Sequence, residues 1–219
     1  ARDRLEDAQH RVGALVASDP APAHLHLAAT VERRLQIQRA IDAALLGRLD
    51  ESNRVLEALV ETWPEEPDVR TALSDLRMRQ ERPEEAWEHA MTIIVSDPVH
   101  AGGLAAAQRA GLVLDRHAEL LSLYQAAYIH EPSAWISEEI DAMELAMELE
   151  KARELAASEG AAAAGSAIEK AAARYGIQDG RPWVQIGGAW MSIDQPQGAL
   201  QAFELAHSLD PGDPGAVKA

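Results

Sequence analysis

The sequence predicts an all-α protein built from antiparallel helix pairs, on three observations. Alanine and leucine dominate, aromatic residues make up only 4% of the chain, and valine and isoleucine are few; that balance favours helix over sheet. Pro64, Pro98 and Pro132 close helix-compatible stretches at intervals of 34 residues, and periods of this size mark stacked supersecondary units. Residues 182–190, PWVQIGGAW, set two tryptophans around paired glycines. Each glycine costs a helix interior about 0.5–1 kcal/mol against alanine, so the pattern needs a packing reason.

The punctuation predicts eleven helices, over residues 2–18, 22–47, 51–63, 66–80, 83–96, 99–113, 116–130, 133–157, 161–175, 180–193 and 196–208. SDPAP ends the first, and GRLDES separates the second and third. WPEEP, ERPEE, SDPVH, LDRH, HEPS, SEGA, QDGRP, DQPQ and LDPGDP mark the later boundaries. Proline lacks the N–H a helix interior needs, so each proline stops a helix or sits in a first turn. Pro83 and Pro196 fit first turns, Glu84 and Glu85 favour a helix start through the macrodipole, and Ser133 is placed to cap the helix that follows it. Pro20 and Pro211 resemble the other prolines but lie off the 34-residue grid by 10 and 11 residues. Helices 22–47 and 133–157 absorb these as about three extra turns each, at about 3.6 residues per turn. The second of them carries Ile136, Ile140, Met143 and Met147 on one stripe. Ala142, Leu145, Ala146, Leu149, Ala152 and Ala156 form another, which predicts packing on two sides.

Residues 183–211 resemble the tetratricopeptide repeat, whose pattern is W-x2-L-G-x2-Y, then A-x3-F, then P. Trp183, Ile186, Gly187 and Trp190 stand at the first four sites, Ala199, Phe203 and Pro211 at the later ones, and Ala206 where the family favours a small residue. Residues 67–100 keep Leu73, Ala86 and Pro98 but carry Arg70, Ser74, Arg77 and Ala90 at motif sites. Residues 101–134 keep Tyr124, Ala127 and Pro132, with Leu120 for the small alanine; residues 33–66 keep Leu56 and Pro64. The resemblance implies a right-handed α-solenoid in which Gly187 lets two helices of a pair approach, with Trp190 and Ala199 filling around it. Gly188 has no such site in the pattern. The expected organisation is one array over 1–219: a half repeat at 1–21 and repeats at about 22–66, 67–100, 101–134, 135–179 and 180–213. Because the array starts on a half repeat and ends without a polar cap, which solenoids need, the chain is expected to be a segment of something longer, with its uncapped ends open to self-association.

The resemblance also implies a concave groove lined by the first helix of each pair. Carried over by register, the groove holds Ile37 and Ile41, then Thr71, Asp75, Met78 and Arg79, then Ala105, Arg109 and Leu112, then Val184, Gly188 and Met191. The clamp of Lys and Asn with which some members grip an acidic C-terminal tail is absent: its sites hold Ile37/Ile41, Thr71/Asp75, Ala105/Arg109 and Val184/Gly188. The lining is apolar with a few Arg and Asp residues, which suits a partner segment with hydrophobic anchors. Trp63, Trp87 and Trp135, at or near helix ends, either seal repeat junctions or anchor a partner.

Other functions find little support in the residues. Net charge is −16, with 14 acidic against 6 basic groups in residues 133–219. A nucleic-acid backbone binder needs a basic face, so nucleic acid is not an expected partner, nor is an anionic membrane. No run of apolar residues approaches a membrane span. There is no cysteine, so disulfides and thiolate chemistry are excluded. Neither phosphate-binding glycine motif occurs, His24 and His26 are two apart and do not share a helix face, and Glu144 and Glu148 read as a solvated face with Lys151 near Glu148. No catalysis, cofactor or metal is expected. Two functions stay open: an interaction scaffold that grips a protein or peptide in its groove, and a structural spacer that positions other domains. Arginine outnumbers lysine 17 to 3, which with the alanine content points to a GC-rich bacterial genome. Bacterial arrays of the family occur in cell-envelope assembly and exopolysaccharide export; the compartment, cytoplasm or periplasm, is left open.

Overall fold

A computed structural model describes residues 2–175 and 180–210. The described residues form eleven α-helices and no strand: α1 (Arg2–Ser18), α2 (Pro22–Leu45), α3 (Leu49–Thr62), α4 (Pro67–Arg79), α5 (Pro83–Ser96), α6 (Ala101–Val113), α7 (His117–His130), α8 (Ala134–Glu159), α9 (Ala161–Tyr175), α10 (Gly180–Ser192) and α11 (Pro196–Leu209). All eleven expected helices are present, and the two long ones are α2 and α8. The expected C-terminal proline of the best repeat, Pro211, lies outside the described residues.

Prolines begin four helices, at the first or second position of α2, α4, α5 and α11, where a missing N–H removes no intrahelical bond. Ser133 does occupy the position before α8, but its hydroxyl makes no capping bond and is buried without a hydrogen-bond partner. A side-chain cap is supplied instead by a histidine: His100 Nδ1 accepts from Gly103 N–H at 3.0 Å at the start of α6.

The turn inside four of the five helix pairs has one geometry; between α8 and α9, Gly160 has φ 93° and its own N–H bonds Leu155 O at 3.1 Å. Gly47, Glu81, Asp115 and Asp194 follow the first helices of four pairs, and all have φ between 59° and 77°. Behind each, the next residue donates back across the turn: Arg48 N–H to Ala43 O, Arg82 to Arg77, Arg116 to Gly111 and Gln195 to Trp190, at 2.8–3.0 Å. This six-to-one bond closes a helix end around a left-handed residue. Only one of the four residues is glycine, so the other three turns hold a side chain in backbone space that L-residues rarely use.

The chain divides into two compact units, Ala1–Ala126 and Ala127–Ala219. In the first, Ile37, Ala40, Ala44, Leu56, Leu59, Val69, Ala72, Leu73 and Leu76 join α2, α3 and α4 in one core. In the second, Leu145, Leu149 and Ala152 of α8 meet Ala164, Ile168 and Ala171 of α9, Ile186 and Ala189 of α10, and Ala202 of α11. Ile136 and Met143 are also buried, so both stripes of α8 are covered. Small residues set the close approaches. A Cβ on Gly187 would lie 2.6 Å from Phe203 Cε1, whereas one on Gly188 would meet nothing within 4 Å. The residue that fills against Gly187 is thus Phe203, and not Trp190 as the motif suggests; Trp190 lies on Gly198 and Gly165 instead. In the first unit, Gly111 meets Trp87 and Leu120 in the same tight manner, and Ser74, at the place of the motif glycine, donates its hydroxyl to Ala86 O at 2.9 Å.

Candidate protein-binding surface

In the first unit the residues placed in the groove by register divide into two groups. Ile37 is 7% exposed and belongs to the core, with Ile41 packed beside it. These two present little surface because α2 is packed by α3 on one flank and α4 on another. Thr71 and Ala105 are half-buried, and the Thr71 hydroxyl faces the seam with α6 near Gly102, without a hydrogen-bond partner. The surface lies further along. Arg79 and Leu112 are exposed, Met78 and Asp75 are half-buried, and Arg109 is exposed.

Asp75 and Arg109 occupy the same place on successive first helices, α4 and α6, and their side chains pair across the seam at 2.5 Å. Both are about half exposed, so the pair is screened by water and weak on its own. Beside it, Leu45, Arg79 and Val113 end α2, α4 and α6 at equivalent places, and Leu45 and Val113 are 60% and 64% exposed. Leu112, one residue earlier, is half exposed. Sequence reasoning missed Leu45 and Val113, although their interval from Arg79 is the repeat period itself. In the second unit, Met191 is exposed and Val184 half-buried on α10.

The tryptophans near helix ends divide as well. Trp87 is buried, and the Arg116 guanidinium sits 4.9 Å from its ring centre; Trp63 carries Arg33 at 5.7 Å. Arginine over an indole face is a favourable cation–π contact, and these two rings serve the interior. Trp135 stays 40% exposed. Glu144 and Glu148 are not paired with Lys151: Arg174 of α9 bonds both, at 3.2 Å and 2.9 Å, and the Tyr175 hydroxyl donates to Glu144 at 3.0 Å. Burial and the two carboxylates push the Tyr175 phenol well above its usual range.

The motif departures at Ser74 and Arg77 turn out to be one polar interior. Arg77 is 6% exposed. Its guanidinium bonds Asn53, Gln80 at 2.8 Å and Glu57 at 3.0 Å, and its Nε lies 2.9 Å from Glu85, close enough to pair but out of line for a hydrogen bond. Burial, then Arg77 and Arg70, lower the affinity of neighbouring His89 for a proton. No group of three His, Asp or Glu side chains that could hold a metal occurs among the described residues, and no described helix is long and apolar enough to cross a membrane.

Paired helices, left-handed turns at one place in four of the pairs and the close seats at Gly187 and Gly111 define a tetratricopeptide-like all-α solenoid fold. Several solved structures are similar to this chain, the first of them at the level of fold. A crystal structure of MamA protein matches at a TM-score of 0.50 with 16% identity, over 82% of this chain and 92% of that one. A thermophilic TPR protein of Thermus thermophilus, TTC0263, matches at 0.48 and 16% identity, over 84% of this chain and 95% of that one. A tetratricopeptide repeat protein of Parabacteroides merdae matches at 0.46 and 14%, over 98% and 90%. No protein-family model matches the sequence, and no curated protein matches it.

Proposed function

We propose that the chain is a protein-interaction scaffold whose first-helix face in the first unit receives a partner segment with apolar anchors and at least one carboxylate or carbonyl acceptor. The observation that carries this reading is the exposed row Leu45, Arg79 and Val113, flanked by Met78 and Leu112, on three successive first helices. Apolar side chains held in water at one periodic place are a cost to a monomer that partner binding removes. Methionine adapts to varied apolar shapes, Arg79 supplies a planar donor fork, and Arg109 can exchange Asp75 for a partner acceptor at little cost because that pair is exposed. The partner is a protein or peptide and not nucleic acid, given the −16 charge. A bacterial envelope or exopolysaccharide-export assembly is the proposed setting, on the resemblance to bacterial arrays of the tetratricopeptide family; the composition speaks only for a bacterial source.

The test is a photoreactive residue at Leu112 in the protein, expressed in its own cells. A discrete cross-linked protein is expected, and Arg79→Glu combined with Arg109→Glu releases it while helicity and melting stay unchanged. A cross-link that persists at full yield in that variant overturns the reading, as does binding that maps to another face. If no protein binds anywhere, the spacer reading replaces it.

A further inference from the structure

The second unit has a cavity of about 580 Å³ lined by Glu169 and Ala172 of α9, Trp183 and Trp190 of α10, and Gln201 and Leu205 of α11. The first unit shows what the corresponding place between α3, α4 and α5 holds. Ser52, Leu56 and Leu59 are the buried residues of α3, and Ala164, Ile168 and Ala171 are those of α9 at the same intervals. That alignment matches Glu57 with Glu169. The turn bonds Arg82 to Arg77 and Gln195 to Trp190 match Arg77 with Trp190. In the first unit, Arg77 fills the space with its own guanidinium, paired to Glu57 of the preceding second helix at 3.0 Å. In the second unit the carboxylate is kept and the guanidinium is gone. Asn53, which also bonds Arg77, aligns with Gly165, and Glu85 aligns with Gly198. The Trp190 ring occupies the room so released: Gly198 faces Cδ2, Cε3 and Cγ together, and Gly165 meets the far edge of the ring.

We propose that this cavity takes the guanidinium of an arginine side chain presented by a partner protein. Glu169 makes no ion pair among the described residues, and Trp183 and Trp190 bring two indoles to the same cavity. A carboxylate with aromatic faces is the chemistry that holds a guanidinium, through a charge-assisted hydrogen bond and cation–π attraction. The cavity volume lies in the ordinary range of ligand pockets, roughly 300–1,000 Å³. Residues 127–219 carry 15 acidic and 6 basic groups, so the surrounding field attracts a basic segment. A second cavity in the chain provides the contrast. Between α2 and α3 the places of Trp183, Trp190 and Gln201 are held by Gln36, Ala43 and Arg54, with Arg39 beside them. That cavity has no aromatic ring; its one carboxylate, Glu51, is already paired with Arg48 at 2.9 Å, and Arg39 and Arg54 bring two cations to it, so it lacks what would hold a guanidinium. The arginine site uses the second-helix side of its unit and is independent of the surface formed by Arg79 and Leu112.

The experiment titrates the peptide acetyl-Ala-Arg-Ala-amide, and its citrulline counterpart, into the full chain while the five indole N–H signals are followed by NMR. Saturable movement of the Trp183 and Trp190 signals is expected, with Trp63, Trp87 and Trp135 still. Citrulline, which keeps the shape and loses the charge, binds about tenfold more weakly, as do Glu169→Gln and Gln201→Arg. Both substitutions lie at exposed positions, and an unchanged amide spectrum elsewhere verifies the fold. No movement up to the solubility of the peptide overturns the proposal; so does equal binding of citrulline, or unchanged affinity in Glu169→Gln.

Discussion

Gly187 lies against the ring of Phe203 so closely that a Cβ in its place would stand 2.6–2.8 Å from three ring atoms. Its neighbour Gly188, on the same helix, faces open space. Gly187→Ala therefore forces the ring or the helix to move, and overpacking of this kind costs about 1–3 kcal/mol. Gly188→Ala meets no obstacle and gains helix propensity, up to about 1 kcal/mol. Thermal melting of the two variants should shift in opposite directions; equal shifts would remove the close approach as the reason for the first glycine.

Arg77→Ala is expected to cost about 2–4 kcal/mol, because it empties a buried site and strands the polar atoms of Asn53 that it had satisfied. Arg77→Met should recover part of that loss by filling the volume. Glu57→Gln should cost less than about 1 kcal/mol, since Glu57 is half exposed. Denaturant titration of the three variants orders them; an Arg77→Ala as mild as Glu57→Gln would contradict the buried network.

His89 binds a proton less readily when folded, owing to burial first and to Arg77 and Arg70 next. A base whose folded pKa is depressed contributes stability that is complete above its unfolded value, near 6.5, and that is lost as pH falls below it. The first unit should accordingly weaken between neutral and mildly acid pH. His89→Gln should flatten that part of the stability profile, which urea midpoints at several pH values measure.

The Asp75–Arg109 pair should matter little to folding. With both side chains about half exposed, Arg109→Ala is expected to change stability by less than about 1 kcal/mol, and high salt should erase even that. A larger loss, measured by melting at low and high salt, would mean that Arg109 holds α4 to α6.

Helix positions were legible because proline and the charged or glycine-containing turns act locally: α1, α5 and α9 begin and end at the expected residues, and the others differ by a few residues at most. Contacts that depend on how a side chain leans were not. The motif placed Trp190 around Gly187, but ring direction is set by Gly198 and Gly165 on two other helices. Arg77 read as a departure from the pattern; its partners Asn53 and Glu57 of α3 and Glu85 of α5 come from two other helices, and no local rule brings them together. The exposed ends of the groove helices were half visible. Arg79 and Leu112 followed from the register, while the burial of Ile37 came from the packing of α2 against α3 and α4. The division near Ala126 left no mark in composition.

The turns at Gly47, Glu81, Asp115 and Asp194 share one bend and one bond pattern while their side chains differ. Where the join is drawn by the main chain, the stretch from one such turn to the next behaves as a cassette. Duplication, deletion or shuffling of such a stretch keeps both junctions chemically valid, and what changes is the set of side chains on show. A lineage assembled this way can revise its choice of partner one cassette at a time, and a chimaera that exchanges the Glu81 turn for the Asp194 turn should fold as its parents do.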